Sequence, residues 1–263
     1  MLASMTPGAT DAAWEPVRRW LRSAVPPLYP LAPEPERAAG SPSFPASCVI
    51  CRGPVRPGFA RCYQCGRHAG LGPGLLADAV VPVSYAVKGT ALAADLWRYK
   101  SWRAPSAART SVRVLLLAFL HDHGACVWRH AGMPAPGRLA VVPTGCGRPG
   151  PHPLLELVSP FLRLPVTQLV IRPGRQGRDL DLDRFRADRT AAGARVLLLD
   201  DSWVSGASAQ SAAVALKRAG ARQVAIVVLG RHVDPADPGA GPLAAQLRPA
   251  EYQPFKCAVH PQT

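Results

Sequence analysis

Two groups of residues have types and spacings that could do chemistry. The first is the run 196–208: Val196, Leu197, Leu198 and Leu199, then Asp200 and Asp201, then Ser202, Trp203, Val204, Ser205, Gly206, Ala207 and Ser208. Four successive apolar residues read as a strand buried on both faces. Two carboxylates end it, and a turn of small residues leads on into a helix. Backbone N–H groups at a helix N-terminus, with the helix dipole behind them, favour an anion. The hydroxyls of Ser205 and Ser208 add hydrogen bonds, and Val204, Gly206 and Ala207 complete the cradle. Asp200 and Asp201, one step away, can accept hydrogen bonds from sugar hydroxyls. Phosphate on the turn and ribose on the acids is one coherent ligand. The carboxyl end of a sheet strand is also where open α/β sheets bind ligands. A P-loop ATPase could carry a similar acidic strand, but it requires Gly-x-x-x-x-Gly-Lys-Ser/Thr upstream, and the sequence has no such segment. The bland alternative is a surface Asp-Asp turn capping a helix.

The second group is the cysteines. Cys48-x2-Cys51 is followed ten residues later by Cys62-x2-Cys65. Each pair can form a knuckle with two sulfurs on one metal, and two knuckles complete the closed tetrathiolate of a structural zinc site. The segment is too short to bury its own core, so Zn2+ binding would supply its folding energy. Buried free cysteines and two redox pairs are the rival readings; neither pair follows a thioredoxin-like strand. His68, three residues beyond Cys65, is a possible substitute ligand. A closed site has no open position, so its role is scaffolding or contact. Cys126, Cys146 and Cys257 stand alone and read as ordinary packed or loop cysteines. His260 follows Cys257 by three residues, a possible but isolated metal pair.

The elements that must position these groups alternate along the chain. Strands are expected at 79–87, 139–142, 166–171, 195–199 and 224–229. Helices are expected at 91–100, 107–121, 154–162 and 207–219, the last closed by Gly220. Continuous apolar strands alternating with helices predict an α/β fold on a parallel sheet buried on both faces. The division expected is a flexible N-terminal region over 1–47, with one possible helix at 11–25. A tetracysteine ribbon follows over 48–70, the α/β domain over 71–234 and a Pro/Gly-rich tail over 235–263.

Composition sets the bounds. The 263 residues include 31 Lys+Arg against 17 Asp+Glu, a net charge of +14. The excess is spread along the chain and is mostly arginine, so a basic tail is excluded. An apolar content of 48% excludes wholesale disorder. The start of the chain has no secretory pattern, and no window is long enough to span a bilayer. An odd total of seven cysteines argues against a complete disulfide framework. The expectation is a cytoplasmic protein with no membrane partner. Trp97, Arg98, Tyr99, Lys100, Trp102 and Arg103 interleave cations with rings, which could stack on single-stranded nucleic acid. The plainer expectation is an amphipathic helix with Trp97 in the core. Residues 172–190, with six arginines and four aspartates, read as a mobile, solvated loop.

The run 196–208 resembles the PRPP-binding motif of type I phosphoribosyltransferases: four apolar residues, two acids and a Thr-Thr-Gly-Ala-Thr-like turn. A tetracysteine module ahead of such a domain resembles the ComF family of late-competence and GntX-like proteins. The likeness covers about 48–231. Trp97-Arg98-Tyr99-Lys100 is similar to the family's Lys-Tyr helix, and Ala140-Val141-Val142-Pro143 to its strand and pyrophosphate loop. The sequence departs from the family at Val204, where threonine is usual, and in the loop Thr144-Gly145-Cys146-Gly147-Arg148. The resemblance implies PRPP or a nucleotide as ligand, with Mg2+ on the pyrophosphate. Asp200 and Asp201 would be catalytic, 204–208 would grip the 5′-phosphate, and Pro143, Thr144, Gly145 and Arg148 would hold pyrophosphate. Residues 172–190 would be a closing hood. A second implication is a non-catalytic adaptor in DNA uptake, with single-stranded DNA and a helicase as partners.

Overall fold

Apolar runs become the strands of a central sheet, and the helices between them cover its two faces. The computed structural model describes residues 19–21, 23–30, 47–101, 103–144, 150–175, 177, 179–253 and 257–259. Seven strands occur among them: β1 (Tyr29–Pro30), β2 (Ala79–Val87), β3 (Arg138–Val141), β4 (Leu169–Ile171), β5 (Phe185–Ala187), β6 (Arg195–Trp203) and β7 (Gln223–Val233). The helices are α1 (Tyr63–Ala69), α2 (Ala91–Arg98), α3 (Ser106–His130), α4 (Pro153–Leu162), α5 (Ala207–Arg218) and the single turn α6 (Gly241–Ala244). The main sheet runs β1-β2-β7-β6-β3; its four longer strands are mutually parallel and β1 is antiparallel at the edge. β4 and β5 form a separate antiparallel pair.

Strand alternation divides the interior in two. Leu197 and Leu199 of β6 join a core with α2, α3 and α4, whereas Val196 and Leu198 join a second core against α5. α5 lays Ala209, Ala212 and Ala213 on the sheet, small residues that allow close approach. Gly220, at φ 93°, ends it by donating to the Lys217 carbonyl.

Several expectations change. The strand expected at 166–171 is a strand only over Leu169–Ile171, outside the parallel sheet. α3 runs nine residues past 121, because its buried stripe continues through His123, Cys126 and Val127 at helical spacing. Trp97 is 80% exposed, not in the core; Leu92, Leu96 and Tyr99 form the buried face of α2 and its C-cap, one position out of phase with it. Residues 172–190 do not lie wholly in solvent: Arg184 and Phe185 are buried, and β5 packs on α5. Both ends of the described chain reach the first core. Leu21, Val25 and Leu28 are buried in it, as are Leu243, Cys257 and Ala258, and Leu28 and Ala250 exchange backbone hydrogen bonds of 2.7 Å. The expected helix at 11–25 is described from residue 19 onward, where 19–21 and 23–24 are helical. Residues 11–18 and 31–46 lie outside the described residues.

Candidate functional site

The site is built where β6 leaves the sheet. Apolar content placed the strand end at 199, but β6 continues to Trp203, with Asp200 opposite Val228 and Ser202 opposite Gly230. Both acids are therefore strand residues, and alternation sends their side chains to opposite faces. Asp201 turns into the first core and is buried. Its Oδ2 accepts a hydrogen bond from Tyr99 Oη at 2.5 Å and pairs with Lys100 Nζ at 2.7 Å. Burial, and then the Asp201 charge, push the Tyr99 hydroxyl well above its ordinary range, so Tyr99 is a fixed donor. Asp200 is half-buried and accepts a hydrogen bond from the Asp201 amide at 2.9 Å. Burial raises its carboxyl, the Asp201 charge raises it further, and the Lys100 ammonium opposes both; the result is about 8. The structure thus brings the pair together but gives its members different surroundings.

The turn follows directly. Gly206 has φ 79°, a left-handed conformation that side chains rarely adopt. A Cβ there would lie 2.0 Å from Trp203 Cζ2, so the indole fills the space a side chain would need. Ser205 Oγ accepts from the Ala207 amide at 3.3 Å, and Val204 is 64% exposed. Ser208 Oγ accepts from Arg184 Nη1 at 2.9 Å, while Arg184 Nη2 donates to the Asp179 carbonyl at 2.6 Å. Arg184 is buried, and among the described residues its Nε has no hydrogen-bond partner. A guanidinium thus stands beside the hydroxyl and helix N-terminus of the turn, a set of donors suited to a phosphate. Sequence reading missed Arg184. Its one signal was the adjacent Phe185, which anchors the short strand in the second core. Tyr99 and Lys100 were read as part of a helix and of a run of cations and rings that could stack on nucleic acid, not as the partners of Asp201.

Pro143 and Thr144 continue from β3, whose Val141 is paired with Leu199, so they leave the same carboxyl edge as the acids. Gly145 and Arg148 lie outside the described residues.

The four cysteines at 48, 51, 62 and 65 converge, their sulfurs all within 4.8 Å of one another. In the first knuckle the Arg52 amide donates to the Cys48 carbonyl at 2.9 Å and the Cys48 amide to the Gly53 carbonyl at 2.8 Å. Arg52 takes φ 57° to close it. In the second, Cys62 caps α1 and Cys65 lies in its first turn. Cys51 Sγ and Cys62 Sγ are 3.7 Å apart. That matches the edge of a tetrahedron with Zn–S bonds of ~2.3 Å, about 3.8 Å. The donor set could therefore hold a metal ion such as zinc. His68 is buried, and burial lowers its pKa, but it does not join this four-sulfur group. The module is docked on the sheet. Cys48, Cys51 and Cys65 lie in the second core, and Tyr85 Oη of β2 donates to the Arg52 carbonyl at 2.8 Å.

The molecule is thus a mixed α/β protein on a four-stranded parallel sheet, with a cysteine cluster compatible with a zinc ribbon. No family model and no curated protein matches the chain. Solved structures with partial likeness include "Structure of the allosteric regulatory enzyme of purine biosynthesis", at 16% identity and a TM-score of 0.32. Another is a glutamine phosphoribosylpyrophosphate (PRPP) amidotransferase from B. subtilis complexed with ADP and GMP, at 15% identity and a TM-score of 0.32. In each case 51% of this chain is covered and 30% of the other, so the chain spans less than a third of those proteins. With an overlap that loose, the fold is defined by its own strand order and the site by its own contacts. Among the described residues no helix is long and apolar enough to cross a membrane.

Proposed function

We propose that this is a ComF-like protein whose phosphoribosyltransferase-like domain binds PRPP, or the phosphate of a nucleotide, at the carboxyl edge of β6. The carrying observation is the Gly206 turn, with Arg184 held 2.9 Å from Ser208 Oγ, one step from Asp200. The 5′-phosphate would sit on the turn amides and the Ser205 and Ser208 hydroxyls, with Arg184 supplying charge. Asp200 would accept the ribose hydroxyls. Asp201, tied to Tyr99 and Lys100, would hold the strand end and keep negative charge under the ring. In transfer, the C1–oxygen bond to pyrophosphate breaks and the electron pair leaves with pyrophosphate, while an acceptor nucleophile bonds to C1. Positive character on the ribose ring would be met by the two acids. Pro143 and Thr144 begin the loop that would take the pyrophosphate, and Mg2+ would arrive with the substrate as its counter-ion. The tetracysteine module would be a structural zinc ribbon.

Calorimetric titration with PRPP and Mg2+ tests this. Binding is expected for the wild type, with affinity rising with pH toward about 8 as Asp200 ionises and becomes a full acceptor. Asp200→Asn should bind at least tenfold more weakly above that pH, the scale of one charge-assisted hydrogen bond at ~1.5–3 kcal/mol, and lose the slope. No heat with the wild type rejects the reading. Pyrophosphate release across a panel of acceptor bases then separates a transferase from a binding protein.

The exposure of Trp97, beside Arg98 on α2, supports a second reading only as far as a surface on which single-stranded DNA could stack. Base–aromatic stacking is worth about 1–3 kcal/mol. Trp97→Ala should therefore weaken salt-dependent filter retention of single strands roughly fivefold or more. Equal retention by both proteins would sink it.

A further inference from the structure

A second group of metal-ligating side chains lies in the first core, on the face of the sheet that carries α3. His123 and Cys126 are three residues apart on one face of α3, and Cys257 comes from the C-terminal segment. All three are buried, and their ligating atoms lie within 4.8 Å of one another. The sequence alone separated them: Cys126 and Cys257, 131 positions apart, read as ordinary packed or loop cysteines, the latter with only His260 as a possible metal partner, and nothing singled out His123.

We infer that His123, Cys126 and Cys257 form a second, structural zinc site that fastens the C-terminal segment to α3. Helical i, i+3 spacing puts an imidazole and a thiol side by side, and the third donor arrives from another part of the chain. One nitrogen and two sulfurs are the donor types that Zn2+ prefers. Two thiolates neutralise the dication, so the bound group carries no net charge, which suits a site lined by apolar residues such as Phe119, whose ring lies 5.3 Å from that of His123. Binding would release the two thiol protons to solvent.

The C-terminal segment has the need that such a clamp would meet. Past α6 it forms no helix or ladder among the described residues, apart from the single bridge between Ala250 and Leu28. It nevertheless enters the core at Cys257 and Ala258. Two further contacts flank the cluster: Tyr252 Oη donates to Asp122 Oδ2 at 2.8 Å, and Arg52 Nη2 donates to the Ala258 carbonyl at 2.8 Å. The segment is thus already aligned beside α3 and beside the first cysteine knuckle. In the sequence His260 follows Cys257 at the spacing of a two-ligand knuckle; it lies outside the described residues, and the inference rests on the three donors that are placed.

Metal analysis of the purified full-length protein tests this independently of the tetracysteine cluster. The wild type should carry two zinc ions per chain. Cys126→Ala/Cys257→Ala should lose one and keep the other, whereas Cys48→Ser/Cys51→Ser should lose the other. With Co2+ in place of zinc, the difference spectrum between the wild type and Cys126→Ala/Cys257→Ala should show d–d bands with thiolate charge transfer. An unchanged metal content in Cys126→Ala/Cys257→Ala overturns the proposal. So does a wild type whose single zinc has four sulfur neighbours by X-ray absorption, a measurement that needs no variant to fold. A metal-free wild type with Cys126 and Cys257 joined as a disulfide, seen as the loss of two hydrogens by mass, overturns it as well.

Discussion

Gly206→Ala is expected to lower stability by roughly 2–4 kcal/mol and to abolish the phosphate binding proposed for the turn. Two effects add. A left-handed backbone costs an L-residue roughly 1–2 kcal/mol. The larger part is steric. The new Cβ would meet the Trp203 ring at 2.0, 2.3 and 2.7 Å. Trp203 is 1% exposed, in the second core, and its carbonyl accepts a hydrogen bond from Arg231 at 3.0 Å. Neither the ring nor the strand end has room to retreat, so the turn itself must move. Gly72→Ala is the control. Its φ is 96°, with nothing within 4 Å of a Cβ, so it should pay the backbone term alone. Urea unfolding of the two variants, with PRPP calorimetry on each, reads the difference. Equal losses in both would mean that the indole yields and that the turn is not fixed by it.

Much of this architecture was readable from the sequence, and what was hidden has particular causes. The strand at 79–87 was legible in full, because every residue of β2 is buried and only Pro82 and Ser84 interrupt its apolar run. The end of β6 was not. Asp200, Asp201 and Ser202 interrupt the apolar run, yet they pair with β7 through backbone groups that carry no sequence signal. That missed extension matters for chemistry, since it sends the two acids to opposite faces and gives Asp201 to Tyr99 and Lys100. The phase of α2 was recoverable, because Leu92, Leu96 and Tyr99 recur at helical spacing; a Trp seen singly suggested the wrong face. Arg184 was hidden among six arginines of similar appearance. Burial of one of them depends on where β5 lands on α5, a tertiary contact that local pattern does not encode.

Loss of a metal held by the tetracysteine cluster should have the largest effect, and it should be felt at the Gly206 turn, the proposed phosphate site. A structural zinc in a small module supplies on the order of 10 kcal/mol of folding free energy. Loss of it by chelation, or in Cys51→Ser, should unfold at least residues 48–70. The consequence reaches further, because Arg231 joins this module to β6. A Cβ on Gly53 would lie 1.9 Å from Arg231 Nη2, so the guanidinium lies against the first knuckle. The same side chain donates to the Trp203 carbonyl at 3.0 Å and to the His232 carbonyl at 2.7 Å. When the knuckle opens, a buried guanidinium loses the wall that holds it, and Trp203, whose ring supports Gly206, loses a fixed carbonyl. PRPP affinity should therefore fall tenfold or more in Cys51→Ser whose sheet is still folded by circular dichroism, a variant that leaves the His123, Cys126 and Cys257 cluster untouched. Arg231→Met should reproduce much of that loss with the metal retained, since it cuts the link and leaves the sulfurs alone. Unchanged PRPP affinity in Cys51→Ser would make the module a separate unit, with Arg231 serving only to fill space between it and the sheet.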